Sequence, residues 1–460
     1  MKASIVVVGM GYVGIPAAAL FADVEGNHVV GIQRRSARSG WKIDLLNRGG
    51  SPFPDNEPGI AELIRRTVLN KGSMRVEDTY DAIRGASAVL IDVQTPVEPG
   101  DHNPRYESLR EVCRETGVRM APGTLVCIES TVAPGTTVNV VKPILEEASG
   151  MRAGEGFHLC FSYERVMVGR LLHNIQNYPR IVGGYTPACA EKGAALYRTI
   201  VRAAVITTDC LTAETAKTVE NAYRDVNIAF ANEVALACES LGIDVYEVRQ
   251  LVNNLPNDPS RPSSNPVRNM HLPGAGVGGH CLPKDSWLLK TGIDRYGASK
   301  VELPVILGSR SINDSMPLHM ADLVQRELAA ARVPLGGARI AILGYAFLEE
   351  SDDTRNTPAA PLIEELRKRG AAEVVVHDPF VREEEVPGIL RDLPAALRGA
   401  DCACLVTRHS AYTGLTAEQL LGTMRHAILV DGRNGWSYLE GDKRIILTTV
   451  GKGRKKTPAQ

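Results

Sequence analysis

The strongest constraint on the fold lies near the N-terminus, in the segment SIVVVGMGYVGIPAAALFA. A β-branched run is followed by Gly9, Gly11 and Gly14 in the pattern G-x-G-x-x-G, and then by an alanine-rich helical pattern. Between a strand and a helix, Gly9 makes the turn, Gly11 admits a pyrophosphate, and Gly14 lets helix and strand pack closely. The N–H groups at a helix N-terminus favour an anion there. The segment predicts a dinucleotide-binding turn; the alternative is a tight βα turn that binds nothing.

The next strand, HVVGI, ends in an unusual residue for such a fold. An Asp or Glu normally holds the adenosine ribose hydroxyls at this position. Gln33 stands there instead, followed by Arg34, Arg35 and Arg38. An amide still hydrogen-bonds a ribose, and the missing carboxylate no longer repels a 2′-phosphate. The sequence therefore predicts NAD and leaves NADP open.

Two further apolar segments, ASAVLIDVQTP and GTLVCIESTVAPGTT, read as strands that run into Thr-Pro or Ser-Thr loops. Thr95 and Thr131 lie in these loops. Ligands bind outside the carboxyl ends of strands in open parallel sheets. The threonine hydroxyls are thus candidates to contact cofactor or substrate, with simple turn chemistry as the alternative.

A long helix is predicted from DCLTAETAKTVENAYRDVNIAFANEVALACESLG, ending near Gly242. Lys217, Asn221 and Asp225 are spaced four apart, so they share one face. One interpretation is a solvated stripe with an internal Lys–Asp pair. The other places Lys217 and Asn221 against a reacting oxygen, where a cation and an amide donor stabilise negative charge.

The segment GAGVGGHCLPKD, residues 274–285, sets one cysteine in a glycine-rich loop and follows it with Lys284 and Asp285. Glycine gives up packing and loses more entropy on ordering, so it is retained where backbone must approach something closely. On the residues alone, Cys281 is either a reactive thiol or a passive one. The long irregular segment before it, rich in proline and serine, is typical of a functional or disordered loop.

The last third of the chain contains GARIAILGYAFLEESDDTRNTPAAPLIEELRKRGAAEVVVHDPF, which predicts strand, loop, helix and strand. It lacks the full G-x-G-x-x-G, so a nucleotide or structural role fits better than a dinucleotide. The segments GADCACLVTRHSAY and HAILVDGRN predict two more strands. Arg355 and Arg433 follow strands, in loops where they could pair with phosphates.

Length and composition set broader limits. The chain has 460 residues, enough for two or three domains, and a formal net charge of −1, which argues against nucleic-acid or membrane-surface partners. No segment approaches the roughly 18 apolar residues that a membrane span needs. The nine cysteines are dispersed without a CxxC pair, which favours reduced thiols in the cytoplasm and gives no reason to expect a metal.

Seven segments together resemble the UDP-glucose/GDP-mannose dehydrogenase family over nearly the whole chain. They are GMGYVG, ESTVAPGTT, YERVMVGR, AKTVENAYRDVNIAFANE, GAGVGGHCLPKD, LGYAFLEESDDTR and VDGRN. Their order and spacing are more specific than any one motif. Within the family, AYRDVNIAFANE and the His280 before the cysteine are similar to the branch that oxidises UDP-N-acetyl-D-mannosamine.

The resemblance implies a four-electron oxidation of a sugar-nucleotide C6 alcohol to a carboxylate, with two NAD used in succession. Cys281 is the implied nucleophile, which forms a thiohemiacetal with the aldehyde and then a thioester that water cleaves. Lys217 and Asn221 are the implied oxyanion-stabilising pair. Glu164 and Asp285 are implied in acid–base or water-orienting roles, and Thr131 in holding the catalytic water.

The resemblance also implies two sets of binding residues. The cofactor set is Gly9, Gly11, Tyr12, Val13, Gly14, Gln33, Arg34, Thr95, Thr131 and Arg355. The substrate set is Glu164, Arg165, Val166, Lys217, Asn221, Arg268, Gly274, Gly276, Gly278, Tyr345, Phe347 and Arg433. This sequence departs from the family at Tyr163, usually proline, at Leu348, usually lysine, and at Gln33.

The predicted fold class is α/β, with two Rossmann-like domains of parallel strands joined by a long central helix. The predicted divisions are residues 1–204 for NAD, 205–305 for the central helical domain with the cysteine loop, and 306–460 for the UDP-sugar. A homodimer or larger homo-oligomer through the central helix is expected. Alternative functions are a UDP-GlcNAc or UDP-glucose 6-dehydrogenase, a two-electron hydroxyacid-type dehydrogenase, and a silent sugar-nucleotide-binding homologue.

Overall fold

The computed structural model describes residues 3–36, 39–53, 57–98, 100–254 and 269–453. Of the residues singled out in the sequence, Arg38 and Arg268 lie outside the described ranges. The chain divides into two compact units. The N-terminal unit contains Met1–Glu220 and Trp287–Glu302, and the C-terminal unit contains Asn221–Ser286 and Leu303–Gln460.

The N-terminal unit is built on one eight-stranded sheet. Its strands are β1 (Ser4–Val8), β2 (His28–Ile32), β3 (Met74–Glu77), β4 (Ala88–Ile91), β5 (Leu125–Ile128), β6 (His158–Phe161), β7 (Arg180–Gly184) and β8 (Val205–Asp209). The strand order is β3-β2-β1-β4-β5-β6-β7-β8. All neighbouring pairs are parallel except β6–β7, which is antiparallel.

Helices cover both faces of this sheet, because its central strands β4 and β5, and β1 after Ser4, are apolar and buried at every position. Ile5 and Val7 of β1 belong to one buried cluster, whereas Val6 and Val8 belong to another. Such continuous apolar strands are typical of parallel sheets buried on both faces. The helices are α1 (Gly14–Asp23), α2 (Trp41–Asn47), α3 (Ile60–Arg65), α4 (Glu107–Arg119), α5 (Lys142–Ser149), α6 (Leu171–Asn177) and α7 (Pro187–Tyr197).

The C-terminal unit contains a second, fully parallel sheet of five strands. They are β9 (Arg339–Leu343), β10 (Glu373–His377), β11 (Cys402–Leu405), β12 (Ile428–Asp431) and β13 (Ile446–Thr449). The order is β10-β9-β11-β12-β13. Ile340 and Ile342 pack in one cluster and Ala341 and Leu343 in another, so this sheet is also buried on both faces.

The remaining helices follow β8. They are α8 (Cys210–Leu241), α9 (Val245–Asn253), α10 (Leu282–Tyr296), α11 (Pro304–Ala330), α12 (Ala359–Lys368), α13 (Leu393–Leu397) and α14 (Ala417–Thr423). The predicted long helix is α8, and its predicted end is confirmed. Gly242 follows it with a φ of 76°, the left-handed conformation in which glycine commonly stops a helix.

The predicted fold class is confirmed: two parallel-sheet α/β units are present, and α8 runs from the first into the second. The two units divide inside α8, between Glu220 and Asn221, and inside α10, between Ser286 and Trp287. The boundaries at residues 204 and 305 remain predictions. Across the residues described, none of the helices combines the length and apolarity of a membrane span.

Candidate active site

The predicted dinucleotide turn has the shape that its three glycines require. Gly9 has a φ of 107°, and a Cβ there would overlap the carbonyl oxygen of Asp92. A Cβ on Gly14 would overlap the carbonyl oxygen of Gly9, whereas one on Gly11 meets nothing within 4 Å. Gly11 therefore opens onto free space at the start of α1, and the turn fits a bound pyrophosphate.

Two side chains implied in cofactor binding lie beside this turn. Val13 immediately precedes α1. The ring of Tyr12 packs against the ring of Phe53 with their centroids 5.3 Å apart. Both residues therefore lie where the turn meets α1, as their position in the motif requires.

At the end of β2, Gln33 is held within its own loop. Its Nε2 donates to Ser39 Oγ at 3.0 Å and to the Arg34 carbonyl at 3.2 Å. Arg35 forms ion pairs with Asp44 and Asp78, and hydrogen bonding to Asp78 is the main cause that raises the pKa of Arg35. Arg34 is exposed. The loop thus presents an amide and a guanidinium where a carboxylate is usual.

Thr95 and Thr131, from the loops after β4 and β5, are brought together. Thr95 is buried and its Oγ1 donates to the Thr131 carbonyl at 2.5 Å. The segment after Thr131 is held by Glu214 of α8, which accepts bonds from the backbone N–H groups of Gly135 and Thr137 at 2.6 and 2.8 Å. Burial raises the pKa of Glu214 to about 7. The threonine loop is therefore fixed from two sides.

Glu164 lies in the loop after β6 and is buried in an ionic cluster. The guanidinium of Arg180 forms ion pairs with both Glu164 and Glu129. Its Nε donates to Ser162 Oγ at 2.6 Å, and the group lies 4.0 Å from the centroid of the Tyr197 ring. The Glu164 side chain is thus paired with a cation that is itself buried.

Sheet topology explains why these groups meet. Asp92, Glu129 and Ser162 directly follow β4, β5 and β6, three parallel neighbours whose carboxyl ends share one edge. Because β7 is antiparallel to β6, its first residue, Arg180, lies at that same edge. Burial, followed by the charge of Glu129, raises the pKa of Asp92 well above its usual value. Burial thus favours the neutral form of Asp92, and the Arg180 guanidinium pairs with both Glu129 and Glu164.

Lys217 of α8 reaches the same loop. Its Nζ donates to the Glu164 carbonyl at 3.0 Å and lies 5.2 Å from the centroid of the Tyr163 ring. Tyr163, the departure from the family pattern, is buried, and its hydroxyl accepts from Arg165 Nη2 at 3.0 Å. Val166 packs against the core. The loop that bears Glu164 is thus well packed around the tyrosine.

The interpretation of the α8 face as a solvated stripe is wrong. Lys217 and Asp225 are both buried. Asp225 accepts from Arg310 Nη1 at 2.6 Å and from Asn313 Nδ2 at 2.8 Å. Asn221 donates to Asp285 Oδ2 at 2.5 Å. Each side chain has a specific partner in place of water.

In the C-terminal unit, Cys281 directly precedes α10, and its carbonyl accepts from the N–H groups of Lys284 and Asp285 at 3.1 and 3.0 Å. Lys284 Nζ lies 2.7 Å from Asp285 Oδ1, and both side chains are buried. Cys281 is partly exposed, whereas the other eight cysteines are buried. Burial lowers the pKa of His280 to about 4, with Lys284 and Arg355 adding to the effect. His280 is therefore neutral near pH 7.

The glycines before Cys281 pack against loops of the second sheet. A Cβ on Gly274 would lie 2.6 Å from Arg433 Nη1, and one on Gly278 would lie 2.5 Å from the Cβ of Phe347. Gly276 has a φ of 130°. These positions explain the close approach that the glycine-rich sequence predicts.

The other residues implied in ligand binding in this unit are also placed. Arg433 Nε donates to the Val406 carbonyl at 2.8 Å. Arg355 forms a bidentate ion pair with Asp353 through its Nε and Nη2. The Tyr345 N–H donates to Asp378 Oδ2 at 2.8 Å, and Tyr345 lines a cleft of about 380 Å³. Their roles towards cofactor or substrate remain predictions.

Several residues of these sites were missed in the sequence. The sequence contained a signal for Asp92 and Glu129, because each directly follows a predicted apolar strand. Thr131, which was predicted, lies only two residues after Glu129. The role of Arg180 could not be predicted from the sequence, because its position beside Glu129 and Glu164 depends on the antiparallel pairing of β7 with β6. Within the described residues, no cluster of three or more His, Cys, Asp and Glu side chains could hold a metal ion.

Comparisons with known proteins agree with this geometry. The NAD-binding, central and UDP-binding domain models of the UDP-glucose/GDP-mannose dehydrogenase family match residues 3–201, 211–315 and 341–438. A UDP-N-acetyl-D-mannosamine dehydrogenase of Pyrococcus horikoshii is 37% identical over 98% of this chain and 99% of its own length.

Solved structures give the same result. The UDP-D-ManNAc dehydrogenase of Pyrococcus horikoshii is 36% identical, with a TM-score of 0.87 over 98% of this chain and 100% of its own. The NDP-N-acetyl-D-galactosaminuronic acid dehydrogenase of Methanosarcina mazei Go1 is 39% identical, with a TM-score of 0.84 over 98% and 96%. The chain belongs to the UDP-glucose/GDP-mannose dehydrogenase family, whose members are NAD-dependent oxidoreductases of nucleotide sugars.

Proposed function

We propose that this protein oxidises the C6 alcohol of UDP-N-acetyl-D-mannosamine to the carboxylate through a covalent intermediate on Cys281. The observation that supports it is the setting of that thiol. Cys281 is partly exposed while eight other cysteines are buried, and it lies between closely packed glycines and the start of α10. A thiol adds to a carbonyl carbon and later leaves from a thioester, which a four-electron oxidation requires.

The C-terminal unit supplies the covalent chemistry. When bound, NAD accepts the hydride in each of the two oxidation steps. The Cys281 thiolate attacks the aldehyde carbon to form a thiohemiacetal, which loses the second hydride and a proton to become a thioester. Water then cleaves the thioester to the acid, with release of the thiol. Cys281 lies directly before α10, whose N-terminal N–H groups favour an anion. Asp285, bonded to Asn221 and Lys284, assists proton transfer.

The N-terminal unit supplies groups for charge and water. Lys217 is a buried cation suited to stabilise an oxyanion. Glu164, paired with Arg180, acts as the base that takes a proton from water in thioester hydrolysis. Thr131 holds that water, and its loop is fixed through Thr95 and Glu214. Gly11 leaves room for the pyrophosphate of NAD, in the turn that Gly9 and Gly14 allow to form.

The stoichiometry of reduced cofactor is the direct test. We expect two NADH for each sugar nucleotide consumed, and one NADH would instead support the hydroxyacid-type alternative. Cys281→Ser should keep cofactor and substrate binding but stop formation of the acid. Acid formation by Cys281→Ser at a rate near that of the unmodified protein would overturn the covalent mechanism, and absence of NADH with every substrate would favour a silent homologue.

The acetamido sugar is proposed from the relatives. The Pyrococcus horikoshii and Methanosarcina mazei proteins are both named for N-acetylated sugars. A panel of UDP-ManNAc, UDP-GlcNAc, UDP-GalNAc, UDP-glucose and GDP-mannose, followed by absorbance of the reduced cofactor, compares kcat/KM directly. The highest value with UDP-ManNAc supports the proposal, and a higher value with another sugar replaces it.

Cofactor choice at Gln33 is tested in the same assay. Because the loop presents Gln33 and the exposed Arg34 without a carboxylate at that position, we expect NADP to be accepted as a weaker second cofactor. Gln33→Glu should remove NADP activity and keep that with NAD. Equal discrimination against NADP before and after the substitution would contradict this.

We further propose that α8 forms a homodimer contact. Val219, Tyr223 and Phe230 are exposed apolar side chains at spacings of four and seven, so they form one face. Light scattering should give twice the chain mass, and the double variant Tyr223→Glu, Phe230→Glu should give the mass of the monomer.

We place the protein in the cytoplasm because all nine cysteines are unpaired thiols, and recovery from an exported fraction would contradict that.

A further inference from the structure

The loop that follows β9 holds the nucleophile loop by its backbone. The N–H of Gly279 donates to the Arg355 carbonyl at 2.8 Å. Asn356 Nδ2 donates to the Gly279 carbonyl at 2.9 Å. Both backbone polar groups of the residue two positions before Cys281 are therefore bonded to adjacent residues of one loop.

Asn356 is unusual in its own backbone. Its φ is 48°, in the left-handed region that most residues avoid and that asparagine tolerates better than most. A residue is kept in such a conformation when the surrounding structure requires it, and such residues concentrate at functional sites. In this conformation, the side-chain amide of Asn356 donates a hydrogen bond to the Gly279 carbonyl.

The surrounding glycines fit closely against the same loop. A Cβ on Gly278 would lie 2.8 Å from the Asn356 carbonyl oxygen. A Cβ on Gly279 would lie 2.9 Å from the Phe347 ring, and Gly279 has a φ of 90°. Close packing therefore fixes both Gly278 and Gly279, and hydrogen bonding fixes Gly279 as well.

On its other side, Cys281 is fixed by the first turn of α10, through the bonds from Lys284 and Asp285 to its carbonyl. Only His280 separates the thiol-bearing residue from the bonds to Gly279. We propose that Asn356 is a positioning residue for Cys281, which sets where the sulfur lies through the backbone of Gly279. The proposal rests on the proposed role of Cys281 as the nucleophile.

The test separates the amide donor from the backbone conformation. Asn356→Gly keeps the left-handed conformation and removes the donor. Asn356→Asp keeps the size and replaces the donor with an oxygen that faces the Gly279 carbonyl. Arg332→Gly is the matched control, because Arg332 is an exposed residue with a φ of 59° that follows α11 and has no part in these bonds.

Two rates are measured, and they are expected to move in opposite directions. Acid formation should fall on the order of 10²-fold in both Asn356 variants, with KM for the sugar nucleotide nearly unchanged, because a displacement near 1 Å has such an effect. Alkylation of Cys281 by iodoacetamide, followed by mass spectrometry, should rise severalfold as the loop is released. The eight buried cysteines should stay unmodified, which shows that the fold is intact.

Rates of alkylation and acid formation equal to those of the unmodified protein would overturn the proposal. So would increased alkylation of the buried cysteines, which indicates general loosening, or an equal loss of activity in Arg332→Gly. The two proposals fail differently. If Cys281→Ser still forms the acid, Cys281 is not the nucleophile. The rate of Cys281 alkylation in the Asn356 variants would still show whether Asn356 positions the thiol.

Discussion

Glu164 and Cys281, the two residues assigned the reacting roles, are held in different ways. Glu164 is fixed through its side chain, by ion pairing to Arg180, which is itself shared with Glu129. Cys281 is fixed through its backbone, by bonds at Gly279 and at its own carbonyl. Ion pairing can orient a carboxylate. A nucleophilic thiol forms a covalent bond and is later released, so it is better positioned through its backbone than through bonds to its sulfur.

This difference predicts which substitutions each region tolerates. The Glu164 region should be sensitive to loss of charge, because its ions are buried and a partner's removal leaves them uncompensated. The Cys281 region should be sensitive to added volume at glycine, because its backbone is in close contact with the second sheet's loops. Substitutions of each kind in each region test the distinction.

The largest effect is expected from Arg180→Met. Removing the buried guanidinium leaves Glu129 and Glu164 without a cation, which should lower the free energy of unfolding by about 3–5 kcal/mol. Arg198→Met is the control, because Arg198 and Glu191 form an exposed pair worth less than about 1 kcal/mol. Denaturant unfolding measures both, and equal losses would show that the Glu164 region does not depend on buried charge.

Gly278→Ala should have a smaller effect, and on turnover more than on stability. The new Cβ would lie 2.5 Å from the Phe347 Cβ, so the loop must shift and displace Cys281. We expect kcat to fall on the order of 10²-fold. Gly308→Ala, where a Cβ meets nothing within 4 Å in α11, should keep full activity. Normal turnover in Gly278→Ala would show that Cys281 is not held by shape.

The smallest effect concerns His280, whose pKa is lowered to about 4 by burial and by Lys284 and Arg355, against smaller opposing effects of Asp285 and Asp353. Below its ordinary pKa near 6.5, the unfolded chain binds a proton that the folded chain does not. Stability therefore falls as pH decreases from about 6.5 towards 4. Between pH 7.5 and 5, the free energy of unfolding of His280→Gln should fall by about 2 kcal/mol less than that of the unmodified protein, measured from thermal midpoints. Parallel pH profiles would contradict this.

Much of the fold could be predicted because it depends on local patterns. The strand–glycine–helix segment at Gly9 and eight apolar strands follow from adjacent residues, and the structure confirms them, whereas β3, β6, β7, β8 and β13 were not predicted. The end of α8 at Gly242 is equally local. Thr95 and Thr131 were found because both follow strands, and parallel strands bring such loops to one edge.

What could not be predicted depends on contacts between distant segments. The antiparallel β7 has no signal of its own, so Arg180 looked like any arginine before an apolar run. Asn356 lies 77 positions from the glycine it binds, and nothing in its neighbours reports the left-handed backbone. The burial of Lys217 and Asp225 likewise depends on partners from other segments, since helical spacing shows a shared face and not what covers it.

The reversed direction of β7 also limits how this chain tolerates changes in length. Side chains alternate between the two faces of a sheet, so a one-residue slip of β7 against β6 would turn Arg180 away from Glu129 and Glu164. Insertions in the connecting loop leave the pairing unchanged, whereas a single deletion inside the strand exchanges its two faces. The register of β7 against β6 therefore determines on which face of the sheet the Arg180 guanidinium lies.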